Sequence, residues 1–323
     1  MELTGALRRF FVFLSEQQAL RRWVTRNGWA NRAARRFVAG ETLEEACDAA
    51  ARLNAQGKAV TLNLLGERTT RPEDAQAAAV LYRKVLEEIH RRSLHADLAV
   101  KLTQLGLDLS PKLAEENLDG ICTQARRLGG FVWIDMEASR YVEATLEVYR
   151  NLRASGHGPD TVGVALQAYL YRSERDLEDL LRLGTRIRLV KGAYAEPPHI
   201  AYPRKADVDR AYVRLLERLL RQGYRPAIAT HDERILAHAR SFAEAHGIPL
   251  DRFEFQMLYG VRRDLQARVV QEGGRLRVYV PFGPDWYPYF MRRLGERPAN
   301  AAFLLRSLVQ ESPGGFGRPS GVE

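Results

Sequence analysis

Residues 279–296 read YVPFGPDWYPYFMRRLGE. The stretch opens as a short apolar strand, turns through Pro281, Gly283 and Pro284, and continues as a helix from near Asp285. That is one strand, one turn and one helix, and the chain upstream repeats the unit. Short apolar runs stand at 59–66 (AVTLNLLG), 98–107 (LAVKLTQLGL), 131–137 (FVWIDME), 161–168 (TVGVALQA), 186–192 (RIRLVKG), 225–231 (RPAIATH), 253–260 (FEFQMLYG) and 276–283 (LRVYVPFG). Amphipathic helical stretches lie between them, for example 72–92 and 139–154, and Gly129-Gly130, Gly156 to Pro159 and Gly273-Gly274 mark turns before several runs. Eight βα units in about 250 residues predict an α/β protein built as a closed (β/α)8 barrel. A doubly wound open sheet is the rival, but it carries a glycine fingerprint after its first strand. Here the first run ends in Leu65-Gly66-Glu67-Arg68, and the Gly-rich stretch Gly314-Gly315-Phe316-Gly317 follows no strand.

Ahead of the barrel, residues 1–56 read as helices. Leu3, Leu7, Phe10, Phe11 and Leu14 keep a helical period, Trp23, Val24 and Trp29 sit among arginines, and Thr42 followed by Glu45 predicts a capping box. The expected organisation is a helical region over 1–56, a barrel over 57–311 and a disordered tail over 312–323. Basic amphipathic helices with aromatics can lie on a membrane surface, although packing against their own domain is the commoner use.

An apolar content of 46% and a charged content of 28% are those of a soluble globular chain. The formal charge is +9, yet only six residues are lysine; the excess is arginine scattered without a block, which argues against a nucleic-acid footprint and for a coding bias. Cys47 and Cys122 stand in helical patterns with no CxxC or Cys/His spacing, which argues against a disulfide framework and a zinc site and fits a reducing, cytoplasmic setting. No apolar run reaches the length of a spanning helix. Glu2 and Arg8-Arg9 break the N-terminal apolar stretch, against a secretory signal.

In a parallel barrel the chemistry gathers where the strands end. Those ends carry Lys101; Asp135, Met136 and Glu137; Gln167; Arg188, Lys191, Gly192, Ala193 and Tyr194; Thr230, His231 and Asp232; Leu258; and Tyr279. On the helix that follows, Tyr289, Arg292, Arg293 and Glu296 share one face. Two adjacent guanidiniums beside an aromatic ring suit a planar carboxylate, because each can donate paired, charge-assisted bonds. A solvated arginine pair is the plainer alternative. Lys101, Asp135 and Arg188 each interrupt an apolar run, on three different strands, and such charges are costly unless paired. They suggest either a polar constellation at the barrel mouth or a buried structural ion pair. Cations outnumber acids at these positions, which suits anionic ligands: a phosphate-bearing cofactor and a carboxylate substrate. His231-Asp232 is the lone His/carboxylate pair at a strand end, so metal catalysis is not expected. Two other classes stay open, a barrel hydrolase or aldolase using Lys101 or Lys191 as an amine nucleophile and a non-enzymatic nucleic-acid binder.

Taken together, RLVKGAY (188–194), ATH (229–231), FEFQMLYG (253–260), and VYVPFG with YFMRRLGE (278–296) resemble the proline dehydrogenase family. AVKLT (99–103), IDME (134–137) and LQAY (166–169) fall in order between them, and the resemblance spans roughly 57–305. It implies a distorted barrel that holds FAD and oxidises L-proline to Δ1-pyrroline-5-carboxylate, with electrons passed to a quinone. It implies that Lys101, Arg292 and Arg293 bind the proline carboxylate, and that Leu258, Tyr279 and Tyr289 enclose the ring. Arg188 would lie beside flavin N5 with Asp135 orienting the cationic groups, as the catalytic pair. Met136, Gln167, Arg188, Lys191, Gly192, Ala193, Thr230 and His231 would contact the cofactor. The length is expected to leave out an aldehyde dehydrogenase half, so a separate pyrroline-5-carboxylate dehydrogenase would follow in the pathway. A quinone acceptor implies transient contact with the inner membrane face. Asp232 departs from the family's frequent Asn, and the two prolines in AEPPHIAYPRK (195–205) put the adenine contacts in doubt.

Overall fold

A computed structural model of the chain describes residues 35–66 and 68–296, with side chains as far as 291. The expected helices over 1–34 and the expected disordered tail lie outside the described residues. The chain falls into two compact units. One is Ala39–Pro284, and the other draws on both ends of the chain.

Within Ala39–Pro284 the elements alternate. They are α1 (Leu43–Asn54), β1 (Ala59–Leu64), α2 (Pro72–Arg91), β2 (Ala96–Val100), α3 (Pro111–Leu128), β3 (Val132–Ile134), α4 (Val142–Ala154), β4 (Val162–Gln167), α5 (Ser173–Arg182), β5 (Arg186–Val190), α6 (Lys205–Gln222), β6 (Ala227–Ala229), α7 (Glu233–Ala245), β7 (Glu254–Leu258), α8 (Arg263–Gln271) and β8 (Leu276–Phe282). Each strand pairs in parallel with the next, and β8 returns to pair with β1, so the eight close into a barrel. The second unit contributes α9 (Trp286–Glu296).

The helices start where the local chemistry favours it. Thr42 and Glu45 form the expected reciprocal box, Thr42 Oγ1 accepting from Glu45 N while Glu45 Oε2 accepts from Thr42 N. Pro72 and Pro111 open α2 and α3, where a missing N–H costs nothing. The segment expected as one helix over 139–154 begins instead with a 3-10 turn at Ser139–Tyr141, then becomes α4. The third and sixth runs yield strands of only three residues.

Successive side chains of a strand point to opposite faces. One face of each strand meets the helices: Val60, Leu62, Leu98, Val100, Val132, Ile134, Ile187, Leu189, Phe255, Met257, Val278 and Val280 are buried in the main apolar core with the inner faces of α1 to α8. The other face points into the barrel, and small, aromatic and polar side chains occupy it in place of branched aliphatic ones. A small separate cluster of Ala99, Phe131, Trp133 and Ala227 sits there against Tyr279. Around it lie charges. Arg277 on β8 bonds Glu254 on β7 through Nε (2.8 Å), Asp97 on β2 through Nη1 (3.1 Å) and the Val60 carbonyl (2.7 Å). Arg186 on β5 approaches Glu254 at 3.5 Å and lies over the rings of Phe131 and Trp133. Trp133 Nε1 donates to Asp97 (3.0 Å).

Gly163 on β4 makes room for this layer. A Cβ there would lie 2.5 Å from the Arg186 carbonyl oxygen and 2.9 Å from the Phe131 ring. Gly163→Ala is therefore expected to destabilise the barrel by about 1–3 kcal/mol through overpacking, read as a lower urea midpoint with unchanged slope.

Glu254 is 3% exposed. Burial works against its charge, but the nearby Arg277 and Arg186, with bonds from Arg277 and Gln256, outweigh it and bring the carboxyl from 4.5 down to about 2. A folded value below the unfolded one means this stabilisation is complete above about pH 4.5 and is lost as pH falls toward 2. Glu254→Gln leaves two guanidiniums short of a partner and is expected to cost about 3–5 kcal/mol at neutral pH. Urea melts at pH 7 and pH 3 check both points, with the gap between wild type and variant narrowing at the acid end.

Candidate active site

The barrel mouth, at the C-terminal ends of the strands, is built over the charged layer. Strand pairing stops at Val100 and Ile134, so Lys101 and Asp135 stand one residue past their strands rather than within them. The Asp135 amide still donates to the Val100 carbonyl (2.9 Å), which holds the residue at the strand end. Arg188, two residues along β5 from Arg186, points to the same face one level higher. Its Nη1 donates to Asp135 Oδ1 (2.7 Å), its Nε to Gln256 Oε1 (2.6 Å) and its Nη2 to Thr61 Oγ1 (3.4 Å). It lies 4.5 Å over the Trp133 ring and 5.3 Å from that of Tyr279. Tyr279 Oη donates to the second oxygen of Asp135 (2.5 Å). Three residues distant in sequence, Asp135, Arg188 and Tyr279, thus form one directly bonded cluster.

Beside it, Gln167 at the end of β4 donates through Nε2 to the Glu137 carbonyl (2.6 Å), while its Oε1 is buried without a partner. Met136 is buried next to Asp135. The Glu137 side chain accepts from Thr103 N (3.1 Å) and Oγ1 (2.7 Å). Burial pushes this carboxyl above the ordinary carboxylate range, against the pull of those bonds and of the Lys101 charge.

A second group lies past β5 and β6. Lys191 donates to Asp209 Oδ1 (2.5 Å) and Asp232 Oδ2 (2.9 Å), and Lys205 pairs with Asp209 as well. Burial opposes charge on both acids, but the two lysines outweigh it and hold them below the ordinary range. Gly192 has φ +116, and a Cβ there would lie 2.2 Å from the Tyr169 ring. Ala193 follows it directly. Thr230 Oγ1 accepts from Asp232 N (3.1 Å). His231 Nε2 accepts from the amide of Leu258 (2.8 Å), so the ring is neutral with its proton on Nδ1.

From Gly192 the chain runs without regular structure to Arg204. It crosses the end of β4, where Ala201 bridges Leu170 and Tyr202 N bonds the Tyr169 carbonyl (2.8 Å). It reaches the turn after β3, where Glu196 accepts from Ser139 N (2.7 Å) and Oγ (2.5 Å).

Tyr289 is buried on α9, in the other compact unit. The side chains of Arg292 and Arg293 lie outside the described residues. Sequence reading missed Gln256, Thr61, Glu254, Arg277 and Asp97. Their signal, except at Asp97, was alternation: TLNL, EFQM and LRVYV place polar residues on every second position of a strand. Among the described residues no three His, Cys, Asp or Glu side chains converge in a way that would hold a metal ion.

Residues 46–306 match the family model described as proline dehydrogenase. The chain is 41% identical to "Proline dehydrogenase 1" of Bacillus subtilis (strain 168) over 305 residues, covering 94% of this chain and all of the relative. It is 44% identical to "Proline dehydrogenase" of Deinococcus radiodurans over 280 residues, 86% of this chain and 90% of that one. Among solved structures it is similar to proline utilization A (PutA) from Bdellovibrio bacteriovorus inactivated by N-propargylglycine, with a TM-score of 0.79 and 27% identity. That match covers 88% of this chain and 34% of the PutA chain, so the likeness concerns about a third of the larger protein. An eight-stranded barrel, a polar cluster at its mouth and a family match over most of the length agree: the chain belongs to the proline dehydrogenase family.

Proposed function

We propose that this proline dehydrogenase uses FAD to oxidise L-proline to Δ1-pyrroline-5-carboxylate. The observation that carries the reading is the Arg188–Asp135–Tyr279 cluster, a fixed guanidinium at the mouth of a barrel of this family. When bound, FAD supplies the hydride acceptor, its N5, for the hydride leaving ring C5 of proline. The residues present fit such a cofactor. The orphaned Gln167 Oε1 can accept from the ring's polar edge. Gly192, whose α-carbon packs against the Tyr169 ring, would with Lys191, Ala193, Thr230 and His231 hold the ribityl and pyrophosphate parts. Met136 would touch the ring.

The remaining work belongs to this chain. Lys101 with Arg292 and Arg293 binds the substrate carboxylate and sets the position of the ring carbon. Leu258, Tyr279 and Tyr289 limit the size of ring that enters. The cationic surround favours the unprotonated amine, whose lone pair assists the departure of hydride. Arg188, locked by Asp135, directs positive charge to where negative charge develops. Electrons then pass to a quinone-type acceptor, and the product to a separate pyrroline-5-carboxylate dehydrogenase. A cytoplasmic enzyme with transient contact at the membrane face suits that acceptor, and among the described residues no helix is long and apolar enough to cross a membrane.

The protein is expected to purify yellow and to lose its flavin absorbance on anaerobic addition of L-proline; a colourless protein that takes up no added FAD would sink the reading. Arg188→Met is expected to lower kcat by about 100- to 1,000-fold, the usual loss for one preorganised charge donor, measured by stopped-flow bleaching of the flavin. Arg293→Ala should instead act on KM for L-proline. A loss of about 2–5 kcal/mol would appear as a rise of at least about thirtyfold at unchanged flavin content, and an unaltered KM would remove Arg293 from the carboxylate clamp.

A further inference from the structure

A neutral amide hydrogen-bonds the mouth cluster to the charged layer below it. Gln256 on β7 accepts from Arg188 Nε (2.6 Å) and donates through Nε2 to Glu254 Oε1 (2.6 Å), the oxygen that also receives Arg277 Nε. The amide is 3% exposed and both of its ends are engaged by charged groups. Its orientation therefore has one solution, oxygen toward the guanidinium and nitrogen toward the carboxylate.

From this geometry we infer that Gln256 is a positioning residue for the reaction: it fixes the plane of Arg188 and, being neutral, leaves the charge of Arg188 directed at the mouth. The inference rests on the proposed role of Arg188. The network below and around Gln256 already balances, with Arg186, Arg188 and Arg277 against Asp97, Asp135 and Glu254. A carboxylate at 256 would have nearly the same shape. It would, however, give Arg188 a second anion to satisfy and stand beside Glu254 in a site almost without water, where like charges at hydrogen-bond distance repel strongly. A hydrocarbon at 256 would leave both Arg188 Nε and Glu254 short of a partner, and the guanidinium free to tilt. Only the amide holds the arginine without drawing on its charge. The groups around this position are Arg188 and, across Glu254, Arg186 from β5, Glu254 from β7 itself and Arg277 from β8, with Asp135 and Tyr279 beyond Arg188; β6 pairs with β7 here through Ala227 and Ala229.

Gln256→Met and Gln256→Glu test this beside Arg188→Met, in the FAD-loaded enzyme. The readouts are kcat and KM for L-proline across pH 5 to 9, and the midpoint potential of the bound FAD. Gln256→Met is expected to lower kcat by about 10- to 100-fold, as a misplaced catalytic group does, with KM for proline little changed and the midpoint potential more negative. Gln256→Glu is expected to approach wild-type kcat at the acid end, where a protonated carboxyl mimics the amide, and to lose it as pH rises, an ionisation the wild type lacks. Should Gln256→Met fail to fold, Gln256→Glu carries the test through its pH profile. Wild-type kcat, potential and pH profile in the folded Gln256 variants, with Arg188→Met impaired, would overturn the positioning role and leave the reading of Arg188 standing. Wild-type rates in Arg188→Met would overturn that reading and the inference with it.

Discussion

The ion pairing of Arg277 with Glu254 and Asp97 is the constraint on which the rest of the barrel depends. The inside of a (β/α)8 barrel is ordinarily a packed stack of branched apolar side chains. Here arginines fill part of it, and each must find acceptors within the barrel because water is scarce there. That demand fixes the partners: an acid on β2, another on β7, a carbonyl on β1, and small residues on β4 and β6 to leave room. Net stability comes chiefly from the apolar shell between strands and helices. The ionic interior contributes geometry, since a half-satisfied network would cost more than an apolar one.

Arg188 is the point at which this interior meets the mouth. One edge of its guanidinium is tied through Gln256 to the structural layer, and another to Asp135 in the chain that has just left β3. Such a residue cannot be altered at the mouth without disturbing the structural layer beneath it. Substitutions two or three strands away, at Glu254 or Arg277, act on the same object as substitutions in the mouth itself. Energies measured at these sites will therefore couple rather than add.

Much of the architecture was legible in the sequence because both periods were strong. Runs such as TVGVALQA and RIRLVKG announced strands, the amphipathic stretches between them announced helices, and eight repeats left little but a closed barrel. The ends of those runs likewise brought forward Asp135, Arg188 and Tyr279, which the structure bonds to one another. The ionic layer was not legible, for a physical reason. LRVYV and EFQM alternate apolar and polar positions, and in an open sheet such alternation means one face toward water. Closing the sheet turns that face inward, and nothing local in the sequence distinguishes the two outcomes. Gln256 was hidden in the same way, as an ordinary polar residue within FEFQMLYG.

The tie between Glu196 and Ser139 has its own mechanical outcome. The loop that leaves β5 is fastened across β4 to the first backbone amide of the turn after β3, only four residues from Asp135. Lifting that loop would strip the turn of its anchor and loosen the segment that carries the arginine's counter-ion. The position of the β5 loop and that of the segment after β3 are therefore geared to one another, so a displacement of either is felt at Asp135.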